Sequence, residues 1–235
     1  ILKIKTVIIL GSGLGNFAKE LSSPEILFED NSGFHKVRIL KGNIYDNSIA
    51  IFSGRKHYYE GYSSDLIMEN VNFAKKLGIE LLIITNAAGG INRNFNVSDL
   101  MLITSHLNFL KIKLPDVSGI NLYDINLIRK VKSIASSEKI GLRCGSYCCM
   151  TGPVYESRSE IKFLSKFGID AVGMSTVPEV IYAHSLGIKT IAISCITNIV
   201  SEQSKHITNH EEVIEAGKKS YDNFSGLIKK IISNV

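Results

Sequence analysis

No apolar stretch in the sequence is long enough to cross a bilayer. The longest runs, such as Thr6 to Leu10 and Leu81 to Thr85, fall far short of the roughly 20 residues a spanning helix needs. Ile1 to Leu10 alternates with lysine and lacks the uninterrupted block of a secretory leader, which makes the cytoplasm the expected location. Dense basic clusters are missing too. The 27 Lys+Arg against 22 Asp+Glu leave a net charge of +5, spread along the chain with only short pairs such as Lys218-Lys219. A nucleic-acid face would concentrate that charge among aromatics, so no nucleic-acid partner is expected. Cysteine is scarce, and none of the four (Cys144, Cys148, Cys149, Cys195) forms a CxxC pair. Adjacent Cys148 and Cys149 on a strand would point to opposite faces, so they do not share a tetrahedral zinc; buried free thiols are expected. At 45% hydrophobic and 21% charged residues, the chain is neither disordered nor supercharged.

What is present is an alternation of short β-branched runs and amphipathic segments. Strand patterns fall at 5–10, 37–40, 44–52, 81–85, 101–104, 146–150 and 190–195, with helical spacing at 65–77, 123–135, 156–167, 177–186 and 209–232. No low-complexity linker or repeat divides them. The pattern predicts one α/β domain over residues 1–235, its sheet largely parallel and buried beneath helices. Ser157-x-x-Glu160, Thr176-x-x-Glu179 and Asn209-x-x-Glu212 have the spacing of capping boxes at helix starts.

Polar chemistry collects where strands end. Gly11-Ser12-Gly13-Leu14-Gly15 follows the first strand and fits a tight turn or an anion cradle. A dinucleotide fingerprint would need a third glycine where Asn16 stands, and no Walker lysine is present. Gly54 to Tyr62 (GRKHYYEGY) places Arg55, His57 and Tyr59 on one face if extended, and Arg55 suits a phosphate because its planar fork donates two parallel hydrogen bonds. Thr85 to Gly90 (TNAAGG) is a third such junction, and three junctions suggest one shared pocket. Tyr155-Glu156 has the makings of a base-reading pair, a ring to pack a heterocycle and a carboxylate to accept its N–H groups; a solvated glutamate at a helix start is the alternative. His206 and His210 are four apart, but Asn209 reads as a cap between them, so no metal pair is expected.

Taken in order, GSGLG at 11–15, GRKHYYEGY at 54–62, TNAAGGIN at 85–92, GPVYES at 152–157, VGMSTVPEV at 172–180, TN at 197–198 and NHEEV at 209–213 resemble the trimeric purine nucleoside phosphorylase family over nearly the whole chain. The resemblance implies a mixed, twisted and partly closed central β-sheet flanked by helices, assembled as a homotrimer. It implies phosphorolysis of 6-oxopurine nucleosides, with orthophosphate as co-substrate and neither metal nor cofactor. A shifted preference for xanthosine or methylthioadenosine, or a silent nucleoside-binding protein on the same fold, stands as the alternative.

Residue by residue, the resemblance implies phosphate contacts from Ser12, Arg55, His57 and Ser175, and from the neighbourhood of Asn86 and Ala87. His35 fits a phosphate-gating histidine. Tyr59, Met174 and His210 are implied at the ribose. Tyr155, Glu156 and Asn198 are implied at the base, with Thr197, Ala88, Gly89, Val172 and Gly173 lining its pocket. Catalysis falls to Asn198, Glu156 and His57. Between His106 and Ser146 the chain is shorter than the family pattern, and the aromatic that a neighbouring subunit would supply is not carried over; Phe109 and Tyr123 are the candidates left in that stretch.

Overall fold

The computed structural model describes residues 3–31, 36–201 and 210–235, without the side chains of residues 210, 211 and 213. Its strands are β1 (Thr6–Leu10), β2 (Ser22–Asp30), β3 (Val37–Ile44), β4 (Asn47–Ser53), β5 (Leu81–Gly90), β6 (Leu100–Asn108), β7 (Leu142–Cys149), β8 (Ala171–Gly173) and β9 (Lys189–Ile199). The helices are α1 (Ser64–Ile67), α2 (Glu69–Lys76), α3 (Ile125–Ser137), α4 (Arg158–Lys166), α5 (Val177–Ser185), α6 (His210–Lys219) and α7 (Tyr221–Asn234). Among the described residues the strands form one sheet in the order β2-β3-β4-β1-β5-β8-β7-β6-β9, and β9 returns to pair with β5. The segment from β5 to β9 therefore closes on itself, while β2, β3, β4 and β1 extend from it as an open wing.

The sheet is mixed, not largely parallel as strand–helix alternation suggests. β1 pairs in parallel with β4 and β5, and β5 with β9, but β2, β3 and β4 form an antiparallel meander and β8 runs antiparallel to β5. β2 carries no alternating pattern because it is an exposed edge strand, which also explains how it tolerates Pro24. β5 runs on to Gly90, past the Thr85 boundary its β-branched run suggests. Its glycines belong to the strand because neighbours leave no room: a Cβ on Gly89 would lie 2.5 Å from Val200 Cγ2, and one on Gly90 2.9 Å from Ile196 Cγ2.

Alternate residues of the buried strands feed two cores. Val7 and Ile9 pack with Val71 of α2 and Val180 of α5, whereas Ile8 and Leu10 pack with Val131 of α3 and Phe224 and Ile228 of α7. Each fully buried aliphatic or aromatic side chain contributes about 1.5–3 kcal/mol. The expected long C-terminal helix is two helices. Between them Ser220 turns its hydroxyl inward, donating to the Gly217 carbonyl at 3.1 Å beside Cys195 Sγ at 3.0 Å.

Cys148, Cys149 and Cys195 are buried free thiols; Cys144 is exposed, contrary to expectation. Tyr123 is buried in its own chain with its hydroxyl 2.9 Å from His106 Nδ1, which removes it as a cross-subunit aromatic, while Phe109 is 42% exposed. No helix among the described residues is long and apolar enough to cross a membrane.

Candidate active site

Parallel register brings the polar junctions to one end of the sheet. Leu10 at the end of β1 pairs with Ser53 at the end of β4, Ile9 lies beside Ile84, and Asn86 of β5 lies beside Ser194 of β9. Gly11, Gly54 and Asn86 thus emerge together. Thr85 locks two of these strands, its hydroxyl donating to the Ile9 carbonyl at 3.0 Å and accepting from the Gly11 N–H at 3.0 Å. Gly11 is required by this packing, since a Cβ there would sit 2.5 Å from Asn86 Cα.

A cavity of about 630 Å³ opens at this end, within the range of small-molecule sites. Every expected site residue whose side chain is described lines it. Ser12, Arg55, His57, Asn86, Ala87 and Ser175 line it, as do Tyr59 and Met174; Tyr155, Glu156 and Asn198 are joined by Ala88, Gly89, Val172, Gly173 and Thr197. His35 lies outside the described residues. Of His210, only its place as the first residue of α6 is described.

Arg55 is buried, at 5% exposure, and its guanidinium is fixed on several sides. Nη1 donates to Ser175 Oγ at 2.7 Å, Nη2 donates to the Thr85 carbonyl at 2.9 Å, and Nε lies 3.4 Å from Glu179 Oε1. A guanidinium has five N–H groups, so donors remain for an anion. Burial pushes the Glu179 carboxyl above the ordinary range, and Arg55 beside it pulls back. His57 is held by Glu60, whose Oε1 accepts from the His57 backbone N–H at 2.9 Å and lies 3.0 Å from ring Nδ1. An ionised carboxylate there selects the tautomer with its proton on Nδ1. Tyr59 stacks on the imidazole with centroids 5.0 Å apart.

At the far end, β9 carries a bulge. Ala88 pairs with Ile196 but Gly89 with Asn198, so Thr197 is the extra residue and the strand is re-aimed. Thr197 Oγ1 has two acceptors in reach of its one proton, Asn198 Oδ1 at 3.2 Å and the Ala88 carbonyl at 3.4 Å, and an amide set with Oδ1 toward Thr197 presents Nδ2 as a donor. Thr197 and Asn198 are thus part of β9 rather than a turn beyond it. Glu156 precedes α4, where Ser157 and Glu160 form the expected capping box. Burial raises the Glu156 carboxyl above the usual glutamate range. Between the ends, Gly152 has φ 63°, and a Cβ there would lie 2.5 Å from Met174 Sδ and 2.8 Å from Tyr59 Cδ1.

Some residues of this arrangement have no clear signal in sequence. Lys36 lines the cavity, and only its place beside His35 hints at it. Glu60 could have been found by its spacing from His57. Thr176-x-x-Glu179 misleads: Thr176 makes no side-chain cap, and Glu179 faces Arg55.

A family model described as the phosphorylase superfamily matches residues 5–233. Purine nucleoside phosphorylase 1 of Bacillus subtilis is 38% identical over 250 residues, covering 97% of this chain and 92% of the relative. Isoform 2 of the Schistosoma mansoni purine nucleoside phosphorylase, solved with cytosine and ribose-1-phosphate, superposes with a TM-score of 0.91 at 34% identity, covering 100% of this chain and 91% of that one. Another S. mansoni purine nucleoside phosphorylase, solved with inosine and with adenosine, gives a TM-score of 0.89 at 29% identity, covering 100% of this chain and 91% and 92% of those chains respectively. The chain belongs to the phosphorylase superfamily and, within it, to the purine nucleoside phosphorylases.

Proposed function

We propose that the protein catalyses reversible phosphorolysis of 6-oxopurine ribonucleosides and 2′-deoxyribonucleosides, converting inosine or guanosine and orthophosphate to the free base and (deoxy)ribose 1-phosphate. The observation that carries this reading is a single cavity with an arginine–serine–histidine anion cradle at one end and a carboxylate–amide pair at the other. Phosphate held by Ser12, Arg55, His57 and Ser175, beside Asn86 and Ala87, attacks C1′ as the C1′–N9 bond breaks. His35, outside the described residues, is assigned to the phosphate by the family resemblance alone. The bonding electrons pass to the purine, and the sugar becomes oxocarbenium-like. Asn198 donates to N7 as negative charge grows there, and Glu156 accepts from N1–H. Stabilising both developing charges accelerates the step without a covalent enzyme intermediate. Tyr59 and Met174 hold the sugar, and the family resemblance assigns the 5′-hydroxyl to His210.

The same carboxylate sets the substrate. A 6-oxopurine presents N1–H, whereas adenine presents a bare N1 and would oppose Glu156 with a second acceptor; an unpaired buried acceptor costs about 1–3 kcal/mol. The reaction uses orthophosphate as co-substrate and requires no resident metal or cofactor. A homotrimer in the cytoplasm completes the proposal, and light scattering tests the trimer.

The test is cleavage of inosine, guanosine, xanthosine, adenosine and methylthioadenosine, each with and without phosphate. Phosphate-dependent cleavage of inosine and guanosine, well above that of adenosine, is expected. Cleavage without phosphate, or a preference for adenosine, refutes the reading.

A further inference from the structure

We propose that Glu179, a residue outside the substrate contacts above, is the positioning residue that fixes Arg55 for phosphate, an inference that rests on the phosphate role proposed for Arg55. Glu179 is 2% exposed and sits in the first turn of α5. Apart from the ion-pair contact to Arg55 Nε at 3.4 Å, neither of its oxygens has a close hydrogen-bond partner among the described residues. A buried carboxylate so placed is costly to keep, and its charge is balanced by Arg55. A capping glutamate would turn out to solvent; this one turns in.

Three features make the contact a lever on the anion site. First, Arg55 is held on three edges, by Glu179 at Nε, Ser175 at Nη1 and Thr85 at Nη2. That leaves its remaining N–H groups with a set direction, and rigid donors bind an anion without further loss of side-chain freedom. Second, Glu179 stands in the first turn of α5, the helix that Thr176 begins directly after Ser175. Thr176 has φ 75°, a strained setting for a β-branched residue, and its hydroxyl accepts from Asn86 Nδ2 at 2.8 Å. Glu179 therefore joins Arg55 to the turn that presents Ser175. Third, Arg55, Glu179, Ser175 and Thr176 also border a small void of about 10 Å³, so the carboxylate and the guanidinium share one side of this packing as well as their direct contact.

The test compares wild type with Glu179→Gln and Glu179→Asp. Gln keeps the shape and removes the charge; Asp keeps the charge and withdraws it by one methylene, and it serves if Gln fails to fold. Two readouts are taken: KM for phosphate against KM for inosine, and calorimetric binding of phosphate alone. For both variants the phosphate KM and the phosphate dissociation constant are expected to rise tenfold or more, with the inosine KM within twofold of wild type. An unchanged or lowered phosphate KM overturns the proposal, as does an equal rise in both KM values, which would mark a purely structural role. Wild type that binds phosphate yet does not phosphorolyse inosine refutes the proposed function while leaving the binding comparison to decide on Glu179. Wild type that binds no phosphate overturns both.

Discussion

Replacing Asn198 tests the chemistry most directly, because its amide is the proposed donor to the departing purine. With Oδ1 placed 3.2 Å from Thr197 Oγ1, the half-buried side chain offers Nδ2 to a ligand. Removing a donor aimed at developing charge reduces the rate by about 10²- to 10³-fold, and Asn198→Ala is expected to fall in that range on inosine. Asn198→Asp is more informative. Left ionised about 4 Å from the departing purine, the new carboxylate adds roughly 4 kcal/mol of repulsion at an effective dielectric near 20, on top of the lost donor. Protonated, it regains a donor, and bringing an ordinary aspartic acid to that state at pH 7 costs about 4 kcal/mol, or roughly three pKa units. The protonated route is the cheaper one.

Asn198→Asp should therefore lose about 10³-fold on inosine at pH 7 and recover by about tenfold for each pH unit lowered, relative to wild type. Asn198→Ala should show no such recovery. Rates measured from pH 5 to 8 with saturating phosphate make the comparison, with 7-methylinosine as control substrate because its N7 accepts no hydrogen bond. If the Asp variant tracks the Ala variant across pH, or if Asn198→Ala loses as much on 7-methylinosine as on inosine, the N7 role is wrong.

Burial raises the Glu156 carboxyl, so hypoxanthine binding, which needs the ionised form, should weaken as pH falls through a value above 4.5; titration calorimetry reads it, and Glu156→Gln should abolish the dependence. A raised folded-state pKa favours the protonated folded protein below 4.5 and withdraws that support as pH rises. Glu156→Gln should accordingly raise the melting temperature of the ligand-free protein at pH 7 and lose that advantage near pH 4. Gly152→Ala, at φ 63° and against Met174 and Tyr59, should cost about 1–2 kcal/mol from the backbone alone and raise the KM for inosine more than that for phosphate; denaturant melts and initial rates check both effects.

The sequence disclosed the site better than the sheet that builds it. Arg55, His57, Glu156 and Asn198 are legible because they are chemically demanding residues in three polar segments that follow apolar runs, and such segments recurring in one chain suggest one pocket. Strand boundaries are obscure where local pattern and tertiary packing disagree. Ala88-Gly89-Gly90 carry no strand propensity, yet they form the end of β5 because β8 and β9 press on both sides. β2 is polar because it is an edge, and β8 is too short to show a period. Closure of β5 to β9 is a non-local fact that periodicity does not encode.

Glu179 shows the opposite failure, a local rule that fits too well. Thr176-x-x-Glu179 satisfies the spacing of a capping box, and the helix does begin there, but Thr176 at φ 75° makes no side-chain cap and Asn86 binds its hydroxyl instead. A local propensity broken where a buried cation lies 3.4 Å away is the combination expected at sites whose geometry serves a ligand rather than the helix. Ser157-x-x-Glu160 has the same spacing at the start of α4, with Ser157 accepting from the Glu160 N–H and Glu160 accepting in return from the Ser157 N–H, both on the surface. The two motifs share their spacing but differ in the backbone of the first residue, in whether its hydroxyl caps, and in what lies across from the glutamate, solvent in one case and Arg55 in the other.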